Sequence, residues 1–236
     1  MAHRSMNVST ARLAVQPLDI NFSLKDKVYQ ALKEAILSMN IYGSPTEIRL
    51  DERQLSSDLG VSRTPIREAI SRLEQEGFLR IVQRKGVFVV RKTKREIVEM
   101  ITVWAALEGM AARLVTLNAG DEEIATLRTL FATFENDQLR AHIDEYSETN
   151  IRFHQKILQM SKSGLIAQLS ENLFAHVRAI RVRTIGDSNR VERSIIDHMH
   201  IIEALEARDT ELAERLVRQH TLDLAAHVEM NVHYLD

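Results

Sequence analysis

The apolar positions divide the chain into two parts with different periods. From Lys94 to Asp236 there is no proline, and apolar residues recur at intervals of three and four, the spacing that lays one stripe along one face of a helix. Ile97, Met100, Ile101, Trp104, Leu107, Ala111 and Leu114 mark one helix, and Ile124, Leu127, Leu130, Phe131 and Phe134 mark a second. Four more are predicted at about 141–160, 165–185, 190–207 and 211–232. The breaks fall at 118–120, 136–137, 161–164, 186–189 and 208–210. Connections this short join antiparallel neighbours, so residues 93–236 read as an all-helical antiparallel bundle.

Upstream the pattern is shorter and mixed. Val28, Leu32, Ala35 and Ile36 share the predicted buried side of a helix over 27–37. Leu55 and Leu59 share one face of a short helix that starts after Leu50, with Asp51 as its cap and Gln54 reaching back in a capping box. Gly60 supplies a turn and Val61 plugs the angle between two helices. Pro65 is tolerated only in a first helical turn, so the next helix opens at Ser62-Arg63-Thr64-Pro65 and buries Ile66, Ile70 and Leu73. Gly77 is placed to end it. Two strands, 79–82 and 87–90, then flank the basic tip Gln83-Arg84-Lys85-Gly86.

Helix, turn, helix and basic hairpin, in that order, make a winged helix-turn-helix. The proline places Arg63, Thr64 and Arg67 at the helix end that such a unit offers to the major groove. A charged helix end alone is usually only solvated; the whole series at these spacings is what points to DNA. Residues 24–92 therefore read as a DNA-binding domain and 93–236 as a separate helical domain. Residues 1–23 have no sustained period and read as a mobile N-terminal arm.

Composition adds two constraints. The 236 residues are 44% hydrophobic and 27% charged, without cysteine, which excludes disulfides and thiolate chemistry and fits a reducing cytoplasm. No run of about 18 apolar residues suggests a membrane span, and the first residues lack the apolar core of a signal peptide. The net charge of −2 hides a division. Through Thr93 there are 15 Lys and Arg against 10 Asp and Glu, and beyond it 16 against 23, as expected of a nucleic-acid-binding part joined to an acidic partner domain.

Residues Leu59 to Ile70, Leu-Gly-Val-Ser-Arg-Thr-Pro-Ile-Arg-Glu-Ala-Ile, resemble the signature of the GntR family of bacterial transcription regulators, with Ile for Val and Ile for Leu. Residues 43–46 depart from the family's usual Pro-Gly turn. The resemblance implies that Arg53, Ser62, Arg63, Thr64 and Arg67 meet DNA and that Gly86 lets the wing approach the minor groove.

Nine histidines are many for this length. Asn150 and His154 stand one above the other on a helix face, and His198 and His220 sit beside apolar positions on the last two helices. Residues on different helices can converge inside a bundle, and three imidazoles with a carbonyl oxygen suit zinc or nickel. A single His on a helix is more often a hydrogen-bonded core or surface group, so spacing leaves both readings open. The motifs Asn150-Ile-Arg-Phe-His154, Asp197-His198 before Ile201-Ile-Glu-Ala-Leu205, and His220 are similar to those of the FadR subfamily and its FCD effector domain. That resemblance, over about 25–228, implies a divalent transition metal held by Asn150, His154, His198 and His220, with Asn in place of the usual Asp weakening it. It also implies a small organic-acid effector. Trp104 occupies the position of the family's usual arginine anchor, so Arg181 is the expected substitute and Trp104 a surface on which a ring could stack.

The function implied is a cytoplasmic homodimeric DNA-binding transcriptional regulator, a repressor of a pseudo-palindromic operator, controlled by that effector and without catalytic activity. The alternatives are a metal-dependent hydrolase carrying a DNA-binding appendage, and a regulator whose metal is only structural.

Overall fold

The computed structural model describes residues 24–39, 41–42, 46–131, 143–185 and 190–235; the predicted N-terminal arm, Gly43–Pro45, Phe134 and the break at 136–137 lie outside them. The N-terminal part runs α1 (Leu24–Ser38), β1 (Arg49–Leu50), α2 (Glu52–Asp58), α3 (Arg63–Gln75), β2 (Leu79–Val82) and β3 (Gly86–Val89). The strands form an antiparallel sheet in the order β1-β3-β2, with Arg80 opposite Phe88 and Val82 opposite Gly86. Val28, Leu32 and Ile36 of α1 pack on Ile66, Ile70 and Leu73 of α3, and Phe78, Leu79, Val87 and Val89 close the core.

Three local expectations are corrected. Ala35 is exposed, while Tyr29 and Lys33 are buried. The buried arc of α1 is drawn round because Tyr29 Oη and Lys33 Nζ both bond the Glu76 carboxylate, at 2.7 and 3.0 Å. Leu59 is 38% exposed because it is the C-cap residue, beyond the last turn that faces α3. Asp51 does cap α2, accepting from the Arg53 and Gln54 amides, but Gln54 bonds Asp58 four residues on and does not close a capping box.

The described residues of the second part form six helices: α4 (Lys94–Asn118), α5 (Asp121–Thr129), α6 (Ile143–Met160), α7 (Gly164–Thr184), α8 (Arg190–Glu206) and α9 (Thr210–Asn231). Thr93 starts α4 with a full capping box to Glu96. By length and composition α4 could cross a membrane, but half of its apolar window is buried in the fold. Ile97, Ile101 and Trp104 pack there on α7 and α9 residues such as Val177, Ile180, Leu224 and Val228. It is the central helix of the bundle.

One helix ties the two parts together. Ala175 of α7 belongs to the N-terminal core, Lys33 donates to Asn172 Oδ1 at 3.3 Å, and the His176 ring stacks on Phe78 with centroids 4.1 Å apart. His176 Nε2–H donates to the Glu76 carbonyl at 3.3 Å. Burial pushes the His176 pKa down to about 4, against that hydrogen bond, and Lys92 and Lys33 add to the fall. The unfolded ring titrates near 6.5, so the stability linked to it is whole above that value and is lost as pH falls from about 6.5 toward 4. Urea unfolding of chelator-treated protein should show a loss of about 2 kcal/mol from this ring between pH 7 and pH 5, and His176→Phe should lose that much less. Equal losses in both proteins would exclude the ring as the cause.

Candidate nucleic-acid interface and metal centre

Gly60, at φ +64°, turns the chain between α2 and α3 in a conformation that a side chain resists. Ser62 is the N-cap residue of α3 with extended backbone and makes no side-chain cap bond. Ser62, Arg63, Thr64, Arg67 and Arg53 are all exposed, so the five predicted contacts lie on the surface at or beside the start of α3. Arg67 is steered by a 2.8 Å bond from its Nε to Glu52. The wing reaches the same surface: Arg53, Arg63 and Gly86 line one hollow of about 330 Å³. Arg49, missed by sequence reasoning, lines it too, because β1 pairs with β3 and lays Arg49 beside the wing. A Cβ at Gly86 would meet Arg49 Nε at 2.8 Å. The outcome is a hollow between helix end and wing whose three arginines, beside Asp51 and Glu52, suit phosphate and base edges.

In the bundle, one ring nitrogen each from His154, His198 and His220 lie within 4.8 Å of one another. They come from α6, α8 and α9, so the cluster forms only when the helices pack. Each ring is held at its other nitrogen. His154 Nδ1–H donates to Glu108 Oε1, and Glu108 Oε2 accepts from Thr221 at 2.6 Å. His220 Nδ1 lies 3.1 Å from Asp197 Oδ2. The Tyr146 hydroxyl gives its proton to Ser194 at 2.7 Å and accepts from His198 Nδ1–H at 3.2 Å. With each Nδ1 engaged, Nε2 is the nitrogen left to ligate: His198 Nε2 is buried without a protein partner, and His154 Nε2 meets Arg181 Nη1. This is the outer-partner arrangement that orients metal-ligating imidazoles, and the donor set fits a divalent transition metal.

Burial keeps His154 and His198 far below the usual histidine pKa, with the Arg181 charge adding to it, so both are neutral, the form that ligates. Burial pushes Glu108 up to about 7, opposed by Arg181 and the Thr221 bond. Glu108, Thr221 and Tyr146 were missed as members of the site. The signal for Glu108 was present: it is an acidic residue one helical turn from Trp104 and from Ala111, inside the apolar stripe of α4.

Arg181 lies in this site, 3% exposed. Its Nη1 is 3.1 Å from Asn150 Oδ1 and 2.5 Å from His154 Nε2, and the guanidinium stands 4.9 Å over the Trp104 ring. Burial lowers its pKa to about 10, with Glu108 opposing, and it stays charged. A cavity of about 410 Å³ opens beside it, lined by Asn150, Arg181, Arg190, Arg193, Asp197 and His220 among others. Trp104 is fully buried with the guanidinium over its face and does not line this cavity. Arg181 thus covers the face of Trp104 on which a ligand ring was expected to stack.

A winged helix-turn-helix joined to a helical bundle with a half-open cavity is the architecture of a DNA-binding transcriptional regulator. The chain matches the profile of the bacterial regulatory proteins of the gntR family over residues 24–89 and that of the FCD domain over residues 99–223. It belongs to the GntR family, with an FCD domain as its second part. It is 30% identical to the HTH-type transcriptional repressor GlaR of Escherichia coli K12 over 82% of this chain and 90% of that one. It is 25% identical to the HTH-type transcriptional repressor RspR of the same organism over 94% of both. Among solved structures it resembles E. coli McbR/YncC, with a TM-score of 0.70 at 22% identity over 90% of this chain and 100% of that one, a likeness of fold.

Proposed function

We propose that this protein is a cytoplasmic homodimeric repressor, without catalytic activity, whose operator occupancy is set by a small organic acid bound in the bundle beside zinc or nickel. DNA binding rests on Arg53, Ser62, Arg63, Thr64, Arg67 and Gly86. The metal would be held by His154, His198 and His220 with Asn150, and it would supply a Lewis-acid point for a carboxylate oxygen. The observation that carries the reading is the cavity beside the cluster, into whose wall is set a buried arginine whose Nε has no protein partner. An acid entering there would change the relative population of domain arrangements that fit DNA, through α7, which carries Arg181 and also packs on the N-terminal core. Dimerisation is supported by Val103, Met110 and Leu117, exposed apolar residues seven apart on α4. The hydrolase alternative is weakened because the buried Glu108 is committed to His154 and Thr221 and is not free to act as a base.

A thermal-shift panel of mono- and dicarboxylates against metal-loaded protein tests this reading. At a hundred times its dissociation constant a ligand of the folded state adds about 2.7 kcal/mol, a rise of several degrees. At least one acid should give that rise and should lose it after the metal is stripped. A panel with no shift, together with turnover of any acid by the purified protein, would favour the enzyme.

A further inference from the structure

The Arg181 guanidinium stands where the metal would. Its Nη1 is on the lone pair of His154 Nε2 at 2.5 Å, whereas zinc sits about 2.0–2.1 Å from a ligating imidazole nitrogen. An sp² ring nitrogen has one lone pair, directed outward in the ring plane, so it serves the N–H or the ion and not both. The same Nη1 takes the amide oxygen of Asn150 at 3.1 Å, the fourth ligand of the metal reading. A divalent ion there would also be repelled by the charge of the buried guanidinium.

We propose that Arg181 is an internal cation that competes with the metal for His154 and Asn150, so that metal loading and release of the Arg181 head group into the adjoining cavity are one event. The inference rests on the metal reading above. The neutral Asn150 amide serves either cation, whereas an aspartate would bind the guanidinium as a buried ion pair and hold it in place. Arg181 already forms part of the cavity wall. Released, it becomes available to a carboxylate, so the anion-binding group is presented only when the ion is in place. Acid and metal then bind with positive coupling, because each favours the displaced arginine.

The test is Zn²⁺ affinity of the full-length protein by competition with a chromophoric chelator. Arg181→Met should bind Zn²⁺ at least tenfold more tightly than wild type, and Arg181→Lys, which keeps a cation, should stay near wild type. Trp104 is the single tryptophan of the chain and lies under the guanidinium. Its emission should therefore change as Zn²⁺ fills the wild-type site, and should change much less in Arg181→Met. Stoichiometric binding to wild type with equal or weaker affinity in Arg181→Met overturns the exchange and leaves the metal reading standing. Zn²⁺ binding by neither protein overturns both. Should Arg181→Met fail to fold, wild-type emission that stays constant through stoichiometric Zn²⁺ binding overturns the exchange by itself.

Discussion

Arg63→Ala should remove specific operator binding while leaving the fold unchanged. Arg63 is exposed at the first position of α3, so its truncation costs little packing and melting should stay within about a degree. A bidentate arginine contact to guanine is worth about 1–3 kcal/mol, and a two-fold dimer makes it twice. The combined loss is about 2–6 kcal/mol, or about thirty-fold to more than ten-thousand-fold. Nonspecific binding, carried mainly by phosphate contacts, should fall far less. Fluorescence anisotropy at physiological salt checks this on specific and scrambled duplexes; an unchanged preference would remove Arg63 from the recognition surface. Arg67→Ala should cost less, because its Glu52 partner already holds it.

The second large effect is expected in the bundle. Protein purified without chelator should carry close to one transition metal per chain, and His198→Ala/His220→Ala should carry none by elemental analysis. The double variant should also be less stable than wild type stripped of metal. It removes the fully buried His198 ring and one hydrogen-bond partner of the Tyr146 hydroxyl, and a lost hydrogen bond costs about 0.5–1.5 kcal/mol. Full metal content in the double variant would place the ion elsewhere.

The DNA-binding part was legible because it is made of local signals. A proline at a first helical turn, glycines at Gly60 and Gly77 with positive φ, and a basic hairpin tip each act within a few residues. Their order along the chain is their order in the fold. The helices of the bundle were legible to within two residues at α7, α8 and α9 because period and breaks agree. Arg49 was not, since its place beside Gly86 comes from the β1–β3 pairing across the sheet. The same holds for Lys33, whose burial depends on Glu76, 43 residues away.

In the bundle, the three histidines could be picked out by type and position, but not what holds them. Tyr146, Glu108 and Thr221 reach the cluster from three different helices, and no spacing along one helix encodes that. The covering of Trp104 was not legible for the same reason. Periodicity places it on the core face of α4, but Arg181, which covers it, arrives from α7. The arginine that the sequence suggested as an anchor is at the site, and its position between Asn150 and His154 is what only packing could reveal.

For the bundle to control transcription, what happens in it must reach the DNA. The direct measurement is the affinity of metal-loaded protein for the promoter fragment beside its own gene, by mobility shift, with and without the acid that most raises the melting temperature. A change of at least tenfold in operator affinity is predicted, absent in His198→Ala/His220→Ala. Tight, specific operator binding that stays the same at saturating acid would contradict the account, leaving a DNA-binding protein whose bundle only dimerises.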